Sequence, residues 1–111
     1  MEVTVRDQAM NYKVNFGAIP WEMPIKGLRH KVMKQGGKQL RLVEYSKEMS
    51  PHWCEKGHAG YVLEGQMEIT FENGVFVLNP GDGVFIPSGR GHRHMGRALS
   101  DVVRVVFVED A

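Results

Sequence analysis

From residue 66 to residue 72 the chain alternates without a break: Met67, Ile69 and Phe71 are apolar, and Gln66, Glu68, Thr70 and Glu72 are polar. A period of two puts the apolar set on one face of a half-buried strand. Asn73-Gly74 follows, a pair suited to a type I′ hairpin turn, and Val75 to Leu78 reads as the returning strand. Asn79-Pro80-Gly81-Asp82-Gly83 marks the next turn, Val84-Phe85-Ile86 a further strand, and Pro87-Ser88-Gly89 another turn. A last apolar run, Val102 to Val108, is interrupted only by Arg104. Upstream, Gln39 to Tyr45 and Tyr61 to Leu63 read as two more strands. Short apolar runs punctuated by 13 glycines and five prolines, with no helical stripe, predict an all-β sandwich or barrel.

Before Gln35 the pattern weakens. Pro20, Pro24 and Gly27 break the region, and Trp21, Met23 and Ile25 read as anchors of an extended arm. The expected organisation is an N-terminal arm over residues 1–34 and a barrel over 35–111. Such an arm either pairs with the free edge of a neighbouring subunit or covers its own barrel.

Composition narrows the class. At 111 residues the chain supports one small core, which a homodimer interface would help to cover. A formal net charge of +1, with basic and acidic residues interspersed, gives no footprint for nucleic acid. No apolar run approaches bilayer length, and the first residues lack a secretory leader's pattern, so a cytoplasmic protein without a membrane partner is expected. The single cysteine, Cys54, excludes an internal disulfide. No nucleophile triad, phosphate loop or second acid–base pair is visible, which leaves hydrolysis and phosphoryl transfer without support.

The candidate chemistry lies between residues 52 and 92. His52 and Cys54 are two apart, so on a strand they share a face. Gly57 permits a bend, His58 opens the next strand, and His92 arrives after Pro87 and Gly89. Three imidazoles and a thiol from separate segments are the donors that first-row transition metals prefer, and magnesium or calcium do not. His94, two beyond His92, shares its face and could also look inward. Arg41 and Tyr45 share a face with Val43 on a predicted strand; if that face is interior, they offer a cation and a phenol to an anionic ligand.

These two segments resemble the two motifs of the cupin superfamily, small jelly-roll barrels that commonly bind a metal inside. His52, Cys54, His58 and Gly65 occupy the places of the first motif's two histidines, glutamate and glycine. Gly81, Pro87, Gly89 and His92 fill the second completely. The resemblance covers roughly residues 52 to 92, and the flanking strands suit the same double-stranded β-helix. It implies a metal site of His52, Cys54, His58 and His92 holding iron, zinc, copper, nickel or manganese. Two departures change that site. His58 stands where the family has a carboxylate and removes one ligand charge. Cys54 stands where the family has a second histidine: bound as a thiolate it restores a charge and favours zinc, iron or copper, and turned away it packs as a small hydrophobe.

Two functions follow from the resemblance. One is a metal-dependent enzyme on a small organic molecule, of the oxygenase or isomerase kind. The other is a non-catalytic barrel that binds a sugar or small organic acid. One barrel hosts many chemistries, so the fold alone does not choose between them.

Overall fold

The computed structural model describes residues 12–111. After a 3-10 turn at Phe16–Ala18, nine strands follow: β1 (Glu22–Ile25), β2 (Leu28–Gln35), β3 (Lys38–Tyr45), β4 (His58–Glu64), β5 (Met67–Phe71), β6 (Gly74–Leu78), β7 (Gly83–Ile86), β8 (His94–Ala98) and β9 (Val103–Asp110). They form two antiparallel sheets, one of six strands in the order β1-β2-β3-β9-β4-β7 and one of three in the order β6-β5-β8. This is the jelly-roll arrangement expected of the cupin-type fold.

The inner face of the six-stranded sheet changes character along its strands. At one level Val43, Val105 and Val62 are register neighbours across β3, β9 and β4, and all three are fully buried. Burial of each valine contributes about 1.5–3 kcal/mol. One step on lie Arg41, Phe107 and Gly60, and beyond them Gln39 opposite Glu109. A dry core thus gives way to a polar end within two residue pairs of the same strands. Met67, Ile69 and Ile86 pack against the core from β5 and β7.

The opposite face carries a charge ladder. Glu44 is the register neighbour of Arg29 on β2 and Arg104 on β9, and accepts hydrogen bonds from both, at 2.7 Å from Arg29 Nε and 3.0 Å from Arg104 Nε. Arg104 Nη1 reaches on to Glu64 of β4 at 2.9 Å, and Trp21 lies over the Arg29 guanidinium at 4.1 Å.

One local expectation is corrected. The β5–β6 turn is Glu72-Asn73, because Phe71 pairs with Gly74, and neither turn residue has positive φ. The inward set Met67, Ile69, Phe71 holds the register, so Gly74 falls at the last position of the turn. The turn with two positive-φ residues is Gly36-Gly37, joining β2 to β3. Residues 22–34 of the expected arm fall in β1, β2 and the turn between them, and β2 pairs over its whole length with β3 of the same chain. Residues 1–11 of the arm lie outside the described residues.

Candidate metal centre and ligand cavity

Cys54, His58 and His94 converge at one place, with their donor atoms all within 4.8 Å of one another. Each comes from a different element. His58 opens β4 and projects from its inner face beside Phe107, ring centroids 4.7 Å apart. His94 opens β8 and is buried, its ring edge-on to His58 at 5.2 Å. Cys54 lies in the segment before β4 and is held by two backbone bonds to the same residue: its N–H donates to the His94 carbonyl at 2.8 Å, and its carbonyl accepts from the His94 N–H at 3.0 Å.

A second fastening ties this segment to the turn after β7. The Gly57 N–H donates to Ser88 Oγ at 2.9 Å, and the Gly89 N–H to the Glu55 carbonyl at 2.9 Å. The contact requires glycine at 57, since a Cβ there would stand 2.6 Å from Ser88 N and 2.7 Å from the Ile86 carbonyl.

Both imidazoles are oriented through Nδ1. His94 Nδ1 lies 3.0 Å from the His92 carbonyl, which can only accept, so Nδ1 carries the proton. His58 Nδ1 bonds to Glu109 Oε2. In each ring Nε2 is left with its lone pair, as a metal ligand requires. Burial, together with the neighbouring His58, lowers the pKa of His94 against the opposing effect of its bond to the His92 carbonyl.

The Glu109 side chain is fully buried. It accepts from Gln39 Nε2, Arg41 Nε and Arg41 Nη2, each at 2.8 Å, and from His58. Burial alone would raise its pKa, but the bonds from His58, Arg41 and Gln39 outweigh that and lower it to about 2. The two-pronged Arg41 contact is the geometry in which a guanidinium best compensates a buried carboxylate. Arg41 Nη1 also donates to His30 Nδ1 at 3.0 Å, and burial and that cation lower the His30 pKa.

Cys54, His58, His94, Gln39, Arg41 and His30 line a cavity of about 450 Å³, within the range of small-molecule sites, and Glu109 lies behind that wall. Its wall is largely apolar, with Leu28, Met67, Ile69, Ile86 and Phe107 prominent, and Lys34 and Lys56 are exposed residues of the same lining.

Of the site residues expected from sequence, Cys54 and His58 meet, and the third member of the group is His94. His52 is exposed in the coil before β4; it lines the cavity, and its Nδ1 lies 3.2 Å from the Ser50 carbonyl. His92 is exposed on the 3-10 turn Arg90–His92 and is not part of the lining, its carbonyl serving His94 instead. Arg41 and Tyr45 both line the cavity. Sequence reasoning passed over Glu109 and His30. The signal for Glu109 was available: it continues the inward phase of Val103, Val105 and Phe107.

The fold and the paired motifs define a small jelly-roll barrel. The family model described as a cupin domain matches residues 39–109, well over half of the chain. The chain belongs to the cupin family. A comparison with curated proteins gives no significant match. Among solved structures, the chain is similar to the polyketide cyclase RemF from Streptomyces resistomycificus, at 24% identity and TM-score 0.71, over 91% of this chain and 80% of that one. An RmlC-like cupin from Shewanella frigidimarina matches at 15% identity and TM-score 0.71, over 91% of each chain. KdgF from Halomonas sp. matches at 23% identity and TM-score 0.64, over 83% of this chain and 88% of that one. At these identities the likeness concerns the fold.

Proposed function

We propose that this chain is a metal-binding cupin that takes a small organic molecule, with Cys54, His58 and His94 as the metal ligands. The observation that carries the reading is the convergence of a thiol and two Nδ1-anchored imidazoles within 4.8 Å, beside a cavity of about 450 Å³. His52, on the cavity wall, is the next available donor. One thiolate and two neutral imidazoles make a set of one negative charge that suits zinc, iron or copper over manganese. When bound, such a metal supplies Lewis acidity toward an oxygen of the small molecule, or a redox centre. The chain's own contribution is to fix the ligands: Glu109 holds His58, the His92 carbonyl holds His94, and the paired backbone bonds hold Cys54 against His94. The apolar wall limits water around the bound molecule.

An oxygenase or isomerase is the enzymatic form of this reading. A binding barrel without turnover is the second form, supported by Glu109: this buried carboxylate already accepts four hydrogen bonds from three residues, so it is poorly placed to act as a general base. Elemental analysis after purification under reducing conditions tests both. Stoichiometric zinc, iron or copper supports the metal reading, and only trace metal with no uptake of any of the three refutes it.

The homodimer belongs to the same proposal. Leu40, Val108, Ala59 and Phe85 are neighbours across β3, β9, β4 and β7 on the outer face of the larger sheet. Phe85 is 87% exposed, and Val108 and Tyr61 are about half exposed. A second copy meeting this uncharged stripe about a two-fold axis would cover it.

A further inference from the structure

Tyr45 ends β3 with its side chain buried in the cavity wall, near enough to Arg41, Glu109 and Cys54 for each to influence its ionisation. Its hydroxyl has no hydrogen-bond partner among the described residues. The polar groups that precede Tyr45 on the inner face of β3 are engaged elsewhere. Gln39 donates to Glu109, and three donors of Arg41 go to Glu109 and His30 Nδ1. A buried hydroxyl left unpaired is costly, so its partner is to be sought outside the described residues.

Charge narrows what that partner is. Arg41, the half-buried cation of the cavity wall, is already compensated by the buried Glu109. The remaining ammonium groups, Lys34 and Lys56, are exposed. Leu28, the register neighbour of Tyr45, and Met49 are both buried apolar residues of the lining. We propose that the cavity takes an uncharged, mainly apolar molecule bearing an oxygen acceptor, and that the Tyr45 hydroxyl donates to that oxygen. The inference rests on the reading of the cavity as a small-molecule site and adds to it the class of ligand and the residue that selects it.

The test is a fluorine NMR titration of the zinc-loaded full chain, wild type and Tyr45→Phe, with three probes of similar size. These are 4-fluoroacetophenone, which carries an uncharged acceptor, 4-fluorocumene, which has the shape without the acceptor, and 4-fluorobenzoate, which is anionic. The wild type is expected to bind the ketone more tightly than the cumene and the benzoate. Tyr45→Phe is expected to weaken the ketone alone, by about 3- to 10-fold, the value of one neutral hydrogen bond. Equal ketone affinity in the two proteins, equal loss of ketone and cumene, preference for the benzoate, or no ketone binding by the wild type would each overturn the proposal. Zinc content is measured on the same samples. Its absence counts against the metal reading alone, because the contrast between ketone and cumene reads Tyr45 with or without metal.

Discussion

Glu109 accepts the Nδ1–H of His58 on a carboxylate that solvent does not reach. The pair joins the ends of two neighbouring strands, β9 and β4, where the inner face of the sheet turns from core to cavity. The proposed role of His58 as a ligand depends on it, because the bond fixes the ring through Nδ1 and leaves Nε2 to face the metal.

Glu109→Gln keeps the shape and removes the charge. Arg41 would then be half-buried without its counter-ion, and stability is expected to fall by about 3–5 kcal/mol. Metal affinity should drop about 10- to 100-fold, the usual effect of losing a carboxylate behind a ligating histidine. Urea denaturation reads the first and competition with a chelator the second. Unchanged metal affinity in the folded variant would remove Glu109 from the account of the site.

His92 and His94 separate the proposed ligand set from the one that the family motif implies. His94→Ala is expected to abolish stoichiometric zinc, whereas His92→Ala keeps it, since His92 contributes its backbone carbonyl. Metal analysis of the two variants side by side decides the point, and the reverse pattern would restore His92 as the ligand.

Acid sensitivity should track Glu44. Burial tends to raise its pKa, but hydrogen bonds from Arg29 and Arg104 outweigh that and hold it below its ordinary value of 4.5. The folded chain therefore binds fewer protons at this group than the unfolded chain does in acid. Its contribution is complete above the ordinary carboxylate range and is lost as pH falls through the folded pKa. Glu44→Gln is expected to flatten the decline in stability below about pH 4.5 and to cost about 1–2 kcal/mol near neutrality, a modest figure because both arginines are partly exposed. Identical acid slopes for the two proteins in urea titrations would contradict this.

Phe85→Lys places a charge in the exposed apolar stripe. Sedimentation velocity should show a dimer for the wild type and a monomer for the variant, with the melting temperature of the monomer little changed. A monomeric wild type would remove the dimer from the proposal.

What the sequence revealed follows from where each strand's inner face points. β5 turns its inner face to the core and alternates apolar against polar, and β9 is an apolar run broken only by Arg104, so both strands are legible. β2 turns Leu28, His30, Val32 and Lys34 inward, and half of these are polar because they line a cavity. The same demand that makes the site erases the hydrophobic period, and β2 was read as an arm. β8 suffers likewise, its inward positions being His94, Gly96 and Ala98. Motif spacing marked the two segments that meet around Cys54, His58 and His94 but could not say which of two histidines in His92-Arg93-His94 faces inward. That choice is made by the 3-10 turn at Arg90–His92 and by the bridge between Cys54 and His94. Glu109 shares the inward phase of β9, but a carboxylate at a strand end reads as solvated until Arg41, Gln39 and His58 are known to surround it.

The most direct measurement is the near-ultraviolet absorption of the cobalt-substituted protein, compared with Cys54→Ala. If Cys54, His58 and His94 hold the metal, the wild type shows a thiolate-to-cobalt band that the variant lacks. Failure to take up cobalt, or a spectrum without that band and unchanged by the substitution, would contradict the site.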